Sequence, residues 1–218
     1  MSSSWSYLDP VVLPLLKGTS VLDAGCGMGR WGALIESNYW EAKLPRAPAV
    51  DGFDVFAPNV EHCRARGVYR RVWEHRMPEP LEGSWDTVLA VEILEHLPQQ
   101  DVAPALAAFE AAARERVIVS TPNGPAYRDG HDTPTGFNSY EAHISAIDIG
   151  LLRRHGYHVR GVGLGRYGSR LAAWAKRAGA RTTLTGQLRA LTGKKVPDTD
   201  AVRASLGRIR EFMGCGAV

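Results

Sequence analysis

Cysteine is scarce in this 218-residue chain: Cys26, Cys63 and Cys215 are odd in number, scattered and without metal-ligand spacing. That excludes a disulfide scaffold and a cysteine-built zinc site, and it fits a reducing cytoplasm. Long apolar runs are missing as well; none approaches the roughly 18–20 residues of a membrane span, so no membrane partner is expected. Met1-Ser2-Ser3-Ser4-Trp5 has neither the basic region nor the apolar stretch of a secretion signal, which again points to a cytoplasmic protein. There are no internal repeats and no low-complexity tract. Acidic residues become rare toward the end: residues 151–218 hold 3 Asp/Glu against 14 Lys/Arg, net +11, whereas residues 1–150 hold 20 against 12, net −8. A basic C-terminal third suits a phosphate-bearing partner such as nucleic acid, and equally a solvated helical face that balances an acidic front.

What remains is an ordinary globular composition, 44% hydrophobic and 22% charged, in a length that suits one α/β domain. Asp9 and Pro10 are placed to start a short amphipathic helix, Val11 to Lys17, with Asp9 as its cap. Strands are expected at 20–23, 50–55, 68–73, 85–91, 116–120 and 157–162. Helices are expected from Arg30, over 58–66, over 101–114, and from Ser145 to His155 with Gly156 as the stop. Residues 39–48 read as a loop. Ala126 to Tyr140 is polar and too long for an ordinary connection, which makes it a candidate active-site loop. Ser169 to Ala178 and Thr199 to Met213 read as helical, and no seventh strand is evident. This alternation predicts a doubly wound, mostly parallel sheet with a basic helical C-terminal extension: a cofactor-binding domain over 1–165 and a basic segment over 166–218.

The strand Val21-Leu22-Asp23 runs into Ala24-Gly25-Cys26-Gly27-Met28-Gly29 and then a helix. Glycines here let the backbone approach a ligand and adopt positive φ, and the following helix N-terminus offers free N–H groups. The dinucleotide fingerprint wants a third glycine three residues after Gly27, and Arg30 stands there. The Asp-Ala-Gly-Cys-Gly-Met-Gly pattern instead resembles the first motif of class I S-adenosylmethionine-dependent methyltransferases, over about residues 10–165, and implies a Rossmann-like methyltransferase fold. The resemblance implies that Gly25, Gly27 and Gly29 cradle S-adenosylmethionine and that Asp23 lies near its methionine end. It also implies that Asp54, ending the second strand, holds the ribose hydroxyls, and that Val55 and Phe56 line the adenine site. Glu74, His75 and Arg76 are unranked candidates for the adenine edge.

A second constellation follows the fourth strand, Glu92-Ile93-Leu94-Glu95-His96. On a helical turn, positions i, i+3 and i+4 share a face, so two carboxylates and an imidazole would form a divalent-metal half-site. A Glu-His-Leu at this place also serves as a structural helix start. The full Glu-x-x-Glu-His form resembles two metal-using methyltransferase groups, the ubiquinone-pathway O-methyltransferases and the enzymes that 2′-O-methylate small-RNA 3′ ends. Both carry a further histidine after the fifth strand, and His143 matches it. The resemblance thus implies Mg²⁺ or another divalent cation on Glu92, Glu95, His96 and His143. The metal-free alternative uses His143 or His96 as general base. His131, Asp132, Phe137 and Tyr140 could meet substrate or merely order the loop. Trp31, Trp40 and Trp73 read as packing residues.

The expected function is O-methylation of a small hydroxylated acceptor (a catechol, a sugar or a secondary metabolite). RNA 2′-O-methylation is the alternative, although Ile144-Ser145-Ala146-Ile147-Asp148 departs from the motif that follows the histidine in the RNA group. A noncatalytic cofactor-binding scaffold is the third reading. Oligomeric state is not legible in the sequence.

Overall fold

The computed structural model describes residues 4, 6–42, 47–162 and 170–176, all within a compact unit that spans residues 1–180. Its elements in chain order are α1 (Asp9–Val12), β1 (Ser20–Ala24), α2 (Arg30–Glu41), β2 (Ala49–Asp54), α3 (Ala57–Arg66), β3 (Arg71–Glu74) and β4 (Trp85–Val91). They are followed by α4 (Val102–Ala112), β5 (Ala113–Pro122), β6 (His131–Thr133), β7 (Gly136–Asn138), α5 (Ile149–Arg154), β8 (His158–Val162) and β9 (Arg170–Lys176).

Seven strands form one sheet in the order β3-β2-β1-β4-β5-β9-β8, with β6 and β7 as a separate hairpin. Strands β1 to β5 are parallel to one another, and β9 runs antiparallel to both β5 and β8. The run Val88 to Val91 is buried throughout because both faces of a parallel sheet are covered. One core cluster joins Leu22, Val88 and Val117 of the sheet to Leu106 and Phe109 of α4. Each such side chain contributes roughly 1.5–3 kcal/mol by leaving water. The chain's progress across the sheet reverses between β1 and β4, where open α/β sheets form their ligand crevice at the carboxyl ends of the strands.

The expected alternation of strands and helices holds, and five details are corrected. Asp9 does not cap α1: Leu8 takes that position, and Arg30 draws both Asp9 carboxylate oxygens at 2.7 and 2.8 Å. The third strand starts at Arg71 rather than Val68, because Val68 and Tyr69 turn into the space over Gly29 and Gly32, where a Cβ would lie 2.9 and 2.7 Å from them. The helix expected from Ser145 starts at Ile149, after Asp148 accepts from the Leu151 amide; Gly156 follows it with φ 85°. Residues 170–176, expected to be helical, are the internal strand β9. The expected loop over 39–48 begins later, since α2 continues to Glu41. The helix read over 199–213 and the boundary at residue 165 lie outside the described residues.

Candidate active site

At the carboxyl ends of β1, β2 and β4 lies a cavity of about 250 Å³. The glycine loop forms one wall, with Gly25, Gly27 and Gly29 at φ 64°, 53° and 84°. Its shape is fixed from β2: the Cys26 amide donates to Phe53 O at 2.8 Å, and the Gly27 amide donates to Asp54 Oδ2 at 2.8 Å. Asp54 Oδ1 accepts from the Phe56 amide at 2.9 Å. Burial pushes the Asp54 carboxyl up, and those two amides pull against it. Asp54 therefore braces the loop and also faces the cavity, as do Gly25, Gly27 and Val55.

Three expected cofactor residues sit elsewhere. Gly29 is off the cavity wall and makes room for Val68 and Cys63. Phe56 is also off the wall and precedes α3 as its N-cap residue. Asp23 is off the wall as well, and its Oδ2 accepts from the Tyr69 hydroxyl at 2.6 Å. Burial raises its carboxyl to about 7. Of the unranked trio after β3, His75 and Arg76 reach the cavity and Glu74 does not.

Beyond β4 the chain makes a 3₁₀ turn, Leu94–His96, rather than an α-helix. Glu92 has φ 58° and precedes that turn, so the expected common face of Glu92, Glu95 and His96 does not form. Instead the ligand atoms of Glu95, His96 and His143 gather within 4.8 Å of one another. Residues 142–145 hold them together: the Ile144 and Ser145 amides donate to Glu95 O at 2.8 and 3.1 Å. His96 Nδ1 donates to Ala142 O at 3.0 Å and His143 Nδ1 to Ala126 O at 2.9 Å, which leaves each Nε2 with its lone pair. Burial lowers both imidazoles to about 4, so they are neutral at neutral pH. Glu95 Oε2 accepts from Thr121 at 3.1 Å, while its buried Oε1 has no partner, and burial lifts the carboxyl to about 8. An orphaned carboxylate oxygen beside two oriented lone pairs is a donor set that fits a divalent cation.

The long loop contains the hairpin β6–β7, whose last residue, Asn138, lines the cavity. Thr135 donates to Asn59 Oδ1 at 2.8 Å, and Arg76 donates to the Tyr140 hydroxyl at 2.7 Å while lying 5.1 Å from its ring centre. Asn138, Tyr140 and Glu141 line the cavity, whereas His131, Asp132 and Phe137 do not. The sequence reading missed Phe53, Met77, Asp101 and Glu141 on the wall. Phe53 carried a usable signal, since it immediately precedes Asp54 on a strand end; the others come from loops without one. Trp31 is buried and Trp73 packs on Phe53 and Trp85, but Trp40 is 83% exposed and packs on nothing in the core.

Residues 6–160 match the family described as Methyltransferase domain. The ubiquinone biosynthesis O-methyltransferase of Pseudomonas paraeruginosa is 34% identical over 90 residues, 38% of this chain and 35% of that protein, so the match spans about a third of the relative's length. Magnesium protoporphyrin IX methyltransferase from Synechocystis, crystallised with S-adenosylhomocysteine, shares the fold at TM-score 0.53 and 17% identity, over 78% of each chain. The methyltransferase domain of bacterial CtHen1 does so at TM-score 0.51 and 18% identity, over 76% of this chain and 94% of that one.

Proposed function

This chain belongs to the Methyltransferase domain family and has the Rossmann-like fold of S-adenosylmethionine-dependent methyltransferases, and we propose that it methylates an oxygen of a small hydroxylated molecule with the help of a divalent cation. The gathering of Glu95, His96 and His143 at the edge of the glycine-loop cavity carries the second half of this reading. Similarity to an O-methyltransferase supports oxygen as the target.

S-adenosylmethionine supplies a methyl group on a sulfonium, which an aligned nucleophile can displace. The loop from Gly25 to Gly27 and the Asp54 carboxylate supply the shape and acceptor that a nucleoside with vicinal hydroxyls requires. A hydroxyl acceptor is a poor nucleophile until its proton is weakened or removed. Glu95, His96 and His143 would hold the cation, which supplies Lewis acidity that lowers the hydroxyl's pKa. Without a cation, His96, which lines the cavity and keeps a neutral Nε2, would take the proton itself. Tyr140 and Asn138 line the same cavity.

Exhaustive chelation and re-addition of Mg²⁺ or Mn²⁺ tests the cation. Transfer of labelled methyl to a catechol should fall at least about a hundredfold and recover, and His143→Ala should not recover. Full activity after metal removal would sink the cation and favour His96 as base. The net charge of +11 over residues 151–218 favours RNA 2′-O-methylation as a second reading. Label on small RNA and none on catechols, sugars or phenols would select it.

A further inference from the structure

The hairpin β6–β7 reaches the cofactor acid through one buried amide. Asn59, in the first turn of α3, is 1% exposed. Its Oδ1 accepts from the Thr135 hydroxyl at 2.8 Å, and its side chain is a third hydrogen-bond donor to the Asp54 carboxyl, beside the Gly27 and Phe56 amides. The backbone sets it within reach: the Asn59 amide donates to Phe56 O at 2.9 Å, and the Phe56 amide donates to Asp54 Oδ1 at 2.9 Å. Within the hairpin, the Thr133 hydroxyl donates to Gly136 O at 2.7 Å and stands 3.0 Å from the Thr135 hydroxyl oxygen. One line of hydrogen bonds thus runs from the hairpin through Asn59 and Asp54 to the Gly27 amide.

A primary amide has two different ends. A hydroxyl that holds Oδ1 leaves the NH₂ group for the carboxylate; with that hydroxyl gone, Oδ1 is buried without a donor, or the amide turns over and sets an acceptor against an acceptor. Neither Asn59 nor Thr135 lines the cavity, so both act on a ligand only through Asp54. Burial and the nearby Glu141 push the Asp54 carboxyl up, and Asn59 is among the donors that pull it down toward the anion. Vicinal hydroxyls need that anion as their acceptor. A nucleoside and Thr135 therefore favour the same state of Asn59 and Asp54, and a preference shared by two sites is a coupling that acts in both directions.

We propose that Asn59 and Thr135 are positioning residues for Asp54, and that the hairpin β6–β7 and the ribose hydroxyls of a bound nucleoside stabilise one another through them. The assignment rests on the reading that this chain binds S-adenosylmethionine with Asp54 on the ribose. Because the hairpin brings Asn138 to the cavity wall, that part of the wall tightens when the cofactor arrives.

The test uses the full chain, with amide exchange of residues 131–138 followed by mass spectrometry and affinities taken by isothermal titration. The ligands are S-adenosylhomocysteine, adenosine and 2′,3′-dideoxyadenosine (which lacks both hydroxyls). Saturating S-adenosylhomocysteine should slow hairpin exchange at least about threefold in the wild type, and Thr135→Val should abolish that slowing. The same variant should bind S-adenosylhomocysteine and adenosine about three- to tenfold more weakly, and 2′,3′-dideoxyadenosine within about twofold of wild type. Thr135→Ser, which keeps the hydroxyl, should restore both. Asn59→Leu should repeat Thr135→Val, and the half-buried Thr135 with its two variants decides the matter should Asn59→Leu not fold. Hairpin exchange indifferent to the nucleoside, unchanged affinity in Thr135→Val, equal losses with and without the hydroxyls, or no restoration by Thr135→Ser each overturns the assignment. If the wild-type chain binds no nucleoside, the cofactor reading itself fails, a result distinct from a variant that merely equals wild type.

Discussion

Asp86 shows how one side chain ties the amino ends of three strands together. Its Oδ2 accepts from the Thr19 and Ser20 amides at 2.8 and 3.1 Å and from the Ser20 hydroxyl at 3.0 Å, and its Oδ1 accepts from Arg114 Nε at 2.8 Å. Arg114 first, then the Thr19 amide, holds this carboxyl at about 2. A depressed folded-state pKa adds stability that is fully present above the ordinary value near 3.8 and is lost as pH falls through about 2. Asp86→Asn should therefore cost about 1–2 kcal/mol at pH 7 in urea denaturation, and the gap from wild type should close between pH 4 and pH 2. Gly18 belongs to the same knot: at φ 70° a Cβ there would sit 2.2 Å from Asp86 Cβ, so Gly18→Ala should cost more, about 2–4 kcal/mol by the same measurement. At this scale the sequence reveals residue types and spacings but not directions. Glu95, His96 and His143 are legible from the motif, and they do meet. Glu92 belongs to the same motif and does not join them, because a single positive φ breaks the helical spacing on which the expectation rests. Asp23 is legible as an acid; that a tyrosine 46 residues away would claim it is not.

Among the elements, the hairpin β6–β7 and the turn after it are tied to the rest of the described fold by few side-chain bonds. Thr135 to Asn59 and Tyr140 to Arg76 fasten them to α3 and to the segment after β3, while residues 142–145 are docked more firmly on Glu95 and Leu97. Local opening with low free energy follows from such sparse attachment. Replacing Tyr140 by Phe and Thr135 by Ala together should speed amide exchange of residues 131–140 several-fold and shift the melting temperature by less than about 2 °C. Length alone marked this stretch as a functional loop; its strands escaped notice because His131-Asp132-Thr133 and Gly136-Phe137-Asn138 are too short to show a period. The strand β9 escaped for the opposite reason. Arg170-Leu171-Ala172-Ala173-Trp174-Ala175-Lys176 is alanine-rich and reads as helix, yet pairing on both edges outweighs an intrinsic preference of a few tenths of a kcal/mol per residue.

At the scale of the molecule, a mostly parallel, doubly wound sheet was legible because buried strands and helices alternate at regular spacing; the order β3-β2-β1-β4-β5 is seen only in the structure, and the crevice follows from it. The far edge was not, since a nonlocal strand leaves no local signature. A chain ending at Gly165 lacks β9, whereas one ending at Ala180 keeps it. The shorter chain should lose its cooperative unfolding transition by circular dichroism, and the longer one should retain it. The position of β9 also bears on biosynthesis. Strand β8 leaves the ribosome first, but its only place in the sheet is beside a strand still to be translated. Until then β5 presents an open, apolar edge to its surroundings, the condition that invites pairing with another chain. The nascent protein thus passes through an interval in which its cofactor loop is complete while its sheet is not, and early capture of a ligand by that loop would shelter the half-built fold.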